Sequence, residues 1–225
     1  MAFDLKWAIN TILCRICSIF NRRTEKGKKQ KHFVTLSCFK IYLMLNLIIF
    51  GVLSVPIVFV SWRTLLSPGS HGFYRFFSWE CIIWLLAFNY KVWFKDPFSL
   101  HQILSWILLF ISAYLVISGV ILMKKSGKPN NNRNEKSLYQ FEKTSVLIET
   151  GIFKYVRHPL YSSLIFLTWG IFSKSPDFHL LLVSFISTAF LYLTARSDEK
   201  ECVEYFGIEY LEYIKRTKMF IPLLI

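Results

Sequence analysis

Apolar residues in this chain come in long blocks separated by short polar joints. The first strong block runs from Cys38 to Trp62 with Gly51 and Pro56 inside it, the second from Phe76 to Phe94, the third from Leu100 to Met123. A helix needs about 20 residues to cross the hydrocarbon core, so the first and third fit, with room for a tilt or a kink at the proline. The second is shorter and carries Glu80, Asn89 and Lys91. Two further blocks, Leu160 to Phe172 and His179 to Ala195, are separated only by Ser173-Lys-Ser-Pro-Asp177. So brief a turn predicts a helical hairpin, which returns the chain to the membrane face it left.

Beyond Ala195 the pattern becomes amphipathic, with a break expected at Gly207 and an end at Pro222. Near the other terminus, Trp7, Ile9, Ile12, Leu13, Ile16, Ile19 and Phe20 fall near helical spacing and predict a short helix lying on the membrane. Asp4, Lys6 and Arg15 interrupt that stretch, which argues against a cleaved signal peptide. The expectation is an all-α integral membrane protein with about five membrane helices, a C-terminal hairpin and a C-terminal amphipathic helix. Its divisions are a basic N-terminal segment (1–37), three membrane helices (38–123) and a C-terminal core (124–225).

Composition agrees: 54% of the 225 residues are hydrophobic and 18% aromatic, with a mean hydropathy of +0.41, which is wrong for a soluble domain. The net charge of +13 lies almost entirely outside the apolar blocks. It therefore reads as charge at a membrane surface, with anionic lipids as partners, and no motif supports nucleic acid. The densest basic runs are Arg22 to Lys31 and the polar loop Ser126 to Lys136, which is long enough to be a flap or an insertion. Placing both runs and the C-terminus in the cytosol follows the positive-inside rule. Five crossings, or three plus a hairpin, cannot satisfy all three placements, so either the N-terminal half holds a re-entrant or extra segment or the Arg22 to Lys31 run is an exception. The five cysteines are scattered, and Cys14-x-x-Cys17 has no second pair or nearby His to complete a metal site.

Chemistry concentrates where the polar loop turns back into an apolar helix, at Thr150-Gly-Ile-Phe-Lys-Tyr-Val-Arg157-His158-Pro159-Leu-Tyr161. Pro159 belongs in the first helical turn and pushes His158 away from helical backbone, so Arg157 and His158 are held at a helix entrance. A second block, Asp198-Glu199-Lys-Glu-Cys-Val-Glu-Tyr-Phe206-Gly207-Ile-Glu-Tyr210, follows the hairpin. The hairpin places Arg157-His158 and Asp198-Glu199 at one membrane face.

Together these blocks, with Phe220-Ile-Pro222, resemble the isoprenylcysteine carboxyl methyltransferase and phospholipid N-methyltransferase family of integral membrane enzymes, over Leu115 to the C-terminus. The resemblance departs at Ser163, where the family often has glycine, and at Asp198, where it has glutamate. It implies methyl transfer from S-adenosylmethionine to a lipid-like or membrane-associated carboxylate or amine, at a site facing the cytosol. Arg157, His158 and Glu199 would then be catalytic, and Arg157, His158, Pro159, Tyr161, Tyr192, Asp198 and Glu199 would bind the cofactor, with no metal. By chemistry, Arg157 suits a carboxylate, Asp198 or Glu199 suits ribose hydroxyls or an ammonium, and the ring of Tyr161 or Tyr192 suits adenine or a cation.

Plainer readings stand beside these. Arg157-His158 could be an interfacial anchor, Asp198-Glu199 part of a solvated helix start, and His101 and His179 capping or interfacial residues. Glu80 is the next functional candidate, being ionisable inside a membrane segment. A sterol-reductase-type enzyme using NADPH is similar around Arg-His-Pro but differs at Leu160 and at Ser163-Leu164. A non-enzymatic lipid-binding membrane protein is the third alternative.

Overall fold

The structure, a computed structural model, describes residues 28–127 and 144–222, with side chains described from residue 40 onward. The expected interfacial helix at Trp7 to Phe20, the Cys14/Cys17 pair, most of the Arg22 to Lys31 run and the loop from Lys128 to Lys136 lie outside the described residues. The described part is all-helical: α1 (Lys28–Leu65), α2 (His71–Asn89), α3 (Leu100–Ser126), α4 (Pro159–Phe172), α5 (Phe178–Phe206) and α6 (Ile208–Arg216). Val156 and Lys218 form an isolated parallel bridge. The chain falls into two compact units, residues 1–51 and 52–225.

Among the described residues, three helical stretches are long and apolar enough to cross a membrane: Lys40–Leu65 in α1, Leu100–Ser126 (α3) and Phe178–Phe206 (α5). The sequence suggested five. α4 is apolar but has only 14 residues, about 21 Å at 1.5 Å per residue, too short for a straight crossing. α2 contains Arg75 and Glu80 and is not among the three. α1 and α3 show large apolar side chains outward, Phe59 at 83% and Phe110 at 70% exposure, as helices facing lipid do.

Inside the second unit, α2 packs on α5 and α4, α4 on α3 and α5, and α6 on α5. α4 and α5 run antiparallel around the Ser173 to Asp177 turn, Trp169 meeting Phe185 edge-on at 5.2 Å and Thr168 reaching Ser187 at 3.2 Å. One core cluster holds Ile82, Leu85, Ile171 and Leu180, and another holds Tyr161, Ala195, Met219 and Phe220. Small polar side chains tie the helices where an unmet backbone group would be costly. Ser105 donates to the Gly170 carbonyl at 2.6 Å and Ser112 to the Ser163 carbonyl at 2.7 Å, bonds that contribute about 0.6 kcal/mol each on average. At the hairpin turn, buried Lys174 donates to Gln102 at 3.0 Å and lies 3.7 Å from the Trp106 ring centroid. That aromatic seat accommodates the Lys174 amine inside, with no carboxylate partner among the described residues.

Element boundaries differ from the expected ones for identifiable reasons. α1 starts at Lys28, earlier than Cys38. α2 starts before Phe76 because Ser70 caps it, accepting from the Phe73 amide at 3.3 Å. It stops at Asn89, whose side chain donates to the Ile171 carbonyl at 2.9 Å, and a short 3-10 turn follows. Nothing between Ala195 and Phe206 breaks a helix, so α5 continues through Asp198 and Glu199 where a separate surface helix was expected. Gly207 does break it: φ 62° with ψ −131° is a region open essentially to glycine. α6 ends at Arg216, ahead of Pro222, because Thr217 turns extended and the tail runs back along Val156 to His158.

Candidate active site

His158 caps α4 with extended-side backbone (φ −120°, ψ 63°), and Pro159 opens the helix. This stretch is pinned from the other end of the chain. The amides of Arg157 and His158 donate to the carbonyls of Lys218 and Met219 at 2.8 and 3.2 Å, and the Lys218 amide donates to the Tyr155 carbonyl at 3.1 Å. Ser162 Oγ donates to the Phe220 carbonyl at 2.8 Å. Tail and helix entrance therefore form one unit, folded over the last polar turns of α5.

The structure brings Arg157, His158, Asp198 and Glu199 together. Arg157 Nε and Nη2 both lie 2.8 Å from Glu199 Oε1, while Nη1 donates to the Ile214 carbonyl at 3.2 Å and to the Thr217 carbonyl. These contacts turn most of the guanidinium fork inward and leave one N–H of Nη2 for a ligand. Arg196 Nη1 stands 3.4 Å from Glu199 Oε2. His158 Nδ1 is 3.4 Å from Asp198 Oδ2 and its Nε2 is 3.5 Å from Glu199 Oε1. The latter is an ion-pair contact outside hydrogen-bond geometry, so buried Nε2 has no hydrogen-bond partner among the described residues. Tyr161 stacks on the imidazole at 5.3 Å and hydrogen-bonds Asp198. Burial disfavours the His158 imidazolium, but the facing carboxylates of Asp198 and Glu199 outweigh it and raise its pKa above the ordinary histidine value.

A cleft opens beside this cluster. Its cavity volume is about 100 Å³ and it is open to solvent, smaller than the roughly 300 to 1,000 Å³ of most small-molecule sites, so a nucleoside-sized ligand would extend into the open mouth. The cleft lining combines Arg157, His158, Asp198 and Cys202 with the rings of Tyr161, Tyr210 and Tyr213 and with apolar side chains such as Met123, Ile148 and Phe153. Tyr213 donates its hydroxyl to the Phe153 carbonyl at 2.6 Å. Burial pushes the Tyr210 and Tyr213 hydroxyls to higher pKa, so both stay protonated.

Two expected cofactor residues sit differently. Glu199 is buried but is not part of the cleft wall, which Asp198 faces. Successive helical residues point about 100° apart, and this rotation turns Glu199 towards Arg157 while Asp198 lines the cleft. Tyr192 is 48% exposed and off the wall, because it lies one residue round from Leu191 on the buried stripe of α5. Arg157, His158, Pro159 and Tyr161 do line the cleft. Glu80 lies away from it and accepts from Ser54 at 2.6 Å. Asp177 caps α5 by accepting from the His179 amide at 3.1 Å, the His179 ring takes the Trp84 indole proton at 2.8 Å, and exposed His101 lies by Ser99.

The residue that sequence reasoning missed is His71. It is fully buried, with Nδ1 2.7 Å from Glu201 Oε2 and 4.0 Å from Asp198 Oδ1. Burial lowers its pKa, but the Glu201 hydrogen bond and the charges of Asp198 and Glu201 outweigh that and the opposing Arg75, for a net rise. The one sequence hint was the spacing of Asp198 and Glu201, which share a helix face at i and i+3. Donor atoms of His71, Asp198 and Glu201 lie within 4.8 Å of one another, close enough to share a cation. The short Nδ1–Glu201 contact makes the group an ion pair through a proton rather than a ligand set.

No family model matches the chain. Methanethiol S-methyltransferase 1 of Bradyrhizobium diazoefficiens is 27% identical over 118 residues, covering 52% of this chain and 39% of that protein. The match thus spans well under two thirds of that relative's own length, and the chain is a distant, partial relative of a methyltransferase.

Proposed function

We propose that the protein is a membrane enzyme that transfers a methyl group from S-adenosylmethionine to a lipid-like or membrane-associated acceptor at the cytosolic surface. The observation that carries this reading is the meeting of Arg157, His158 and Asp198 in the lining of a cleft that apolar and aromatic side chains complete. The residues fit the donor. Arg157 retains an N–H for a carboxylate, buried His158 Nε2 lacks a hydrogen-bond partner among the described residues, Asp198 offers an acceptor for an ammonium or ribose, and the Tyr161, Tyr210 and Phe206 rings line space for a flat base. When bound, S-adenosylmethionine supplies an electrophilic methyl on a sulfonium. The chain's part is to orient, to exclude water through the apolar lining, and to hold charge beside the sulfonium.

Glu199 acts from behind: it neutralises Arg157 and so fixes the guanidinium under the cleft. The methyltransferase relative favours this reading over the NADPH reductase and over a non-enzymatic lipid binder.

Among carboxylate and amine acceptors, the site favours the carboxylate. His158 is held against Asp198, and the Tyr210 and Tyr213 hydroxyls keep their protons. No such group is a free base at neutral pH, so an ammonium would have to lose its proton unaided, whereas a carboxylate arrives ready to attack. A thiol, the kind of acceptor in the relative's name, is mostly protonated at neutral pH and, like an ammonium, would first have to lose its proton. The test is to incubate protein in lipid nanodiscs with methyl-labelled donor and sort the products. Label in base-labile, organic-extractable ester supports the carboxylate acceptor. Label only in base-stable amine overturns that choice, and no label in any lipid or thiol fraction overturns the enzyme reading.

A further inference from the structure

The start of α2 is bound to the functional turn of α5 by contacts that no sequence motif announces. The His71 amide donates to Glu201 Oε1 at 3.2 Å, and its ring Nδ1 lies 2.7 Å from Glu201 Oε2. One turn away, Ser197 Oγ donates to the Gly69 carbonyl at 2.6 Å. His71 itself is 0% exposed. Between these anchors stands Asp198, with one carboxylate oxygen 4.0 Å from His71 Nδ1 and the other 3.4 Å from His158 Nδ1.

We propose that His71 is a positioning residue for the methyl-transfer site: clamped by Glu201, it holds Asp198 so that one oxygen stays on His158 and the carboxylate faces the cleft. The proposal rests on the functional reading above for its meaning but not for its geometry. A carboxylate between two imidazole rings is attracted at both oxygens; with the His71 ring removed its position is set by His158, Tyr161 and the Cys202 thiol 3.9 Å from its other oxygen. The charged groups facing His71 are Asp198 and Glu201 from α5 and Arg75 from α2. Those facing His158 are Asp198 and Glu199 from α5. Asp198 is therefore the one carboxylate shared by both rings. Removing the His71 charge leaves Asp198 wholly to His158, which must then hold its proton to higher pH.

The experiment follows the His158 ring by carbon-edited NMR in full-length detergent-solubilised protein, assigned with His158→Gln, in the parent, His71→Gln and His71→Lys. His71→Gln is expected to raise the His158 titration midpoint by about one unit, a tenfold change in proton affinity, as for charges sharing one carboxylate at an effective dielectric of about 20. His71→Lys keeps a cation and should return the midpoint toward the parent; it also serves if the Gln variant does not fold. An unmoved midpoint in the folded variants would overturn the proposal even if they melt earlier, because a merely structural role lowers stability without touching His158. A parallel titration with S-adenosylmethionine should show at least tenfold weaker binding for His71→Gln, and His101→Gln at the parent value. Equal affinity in parent and His71→Gln would also overturn the positioning role. Absence of donor binding in the parent would sink the functional reading instead, while the ring titration still decides what His71 does.

Discussion

Arg157→Lys tests whether the tail and the helix entrance are one unit. Arginine makes two 2.8 Å contacts to Glu199 Oε1 and two bonds to the carbonyls of Ile214 and Thr217. A lysine ammonium keeps the charge but reaches either the carboxylate or the carbonyls, because it lacks the planar fork. A hydrogen bond from a charged donor contributes about 1.5 to 3 kcal/mol. Loss of the two carbonyl bonds, discounted for partial replacement by water, should weaken tail docking by about 3 kcal/mol, or about two decades in its opening equilibrium. The assay is amide hydrogen exchange at Arg157, His158 and Lys218, whose backbone bonds form that seam. Their protection should fall about 100-fold, while α3 amides exchange as in the parent. Parental protection at all three would refute the reasoning and leave Arg157 as an interfacial anchor.

Asp198→Asn should lower S-adenosylmethionine affinity at least tenfold with the fold intact, whereas exposed Lys200→Gln should leave it unchanged; calorimetry decides. Glu199→Gln should also weaken binding, but with a loss of thermal stability, because it removes the partner of buried Arg157. The raised pKa of His158 contributes stability that is fully present below the ordinary histidine value of about 6.5 and is lost as pH rises through the folded-state value. The melting-temperature gap between parent and His158→Gln should therefore shrink from pH 6 to pH 9; a widening gap would reverse the assigned sign. Gly207→Ala meets no neighbouring atom but forces a side chain into left-handed backbone, which should cost about 1 to 3 kcal/mol in chemical denaturation.

The helices and the site motif were legible in the sequence because each leaves a local trace. Apolar blocks mark the helices, Pro159 fixes the α4 entrance, and a five-residue turn forces the hairpin, so His158 and Glu199 were expected on one face and lie 3.5 Å apart. What depends on rotation about a helix axis was not legible. Which of Asp198 and Glu199 faces the cleft, and that Tyr192 does not, follow from packing of α5 against α2 and α4. His71 was invisible for another reason: its contact with Glu201 spans 130 residues, and a histidine after a capping serine has no local signature. The same holds for the tail, whose return along Val156 to His158 is made by backbone bonds indifferent to side-chain identity.

The central claim is that the cleft at Arg157, His158 and Asp198 binds S-adenosylmethionine, and the most direct test is to titrate that molecule and NADPH separately into purified full-length protein. The account predicts saturable S-adenosylmethionine binding that S-adenosylhomocysteine displaces and Asp198→Asn weakens, with no binding of NADPH. Saturable NADPH binding with none of S-adenosylmethionine would contradict it.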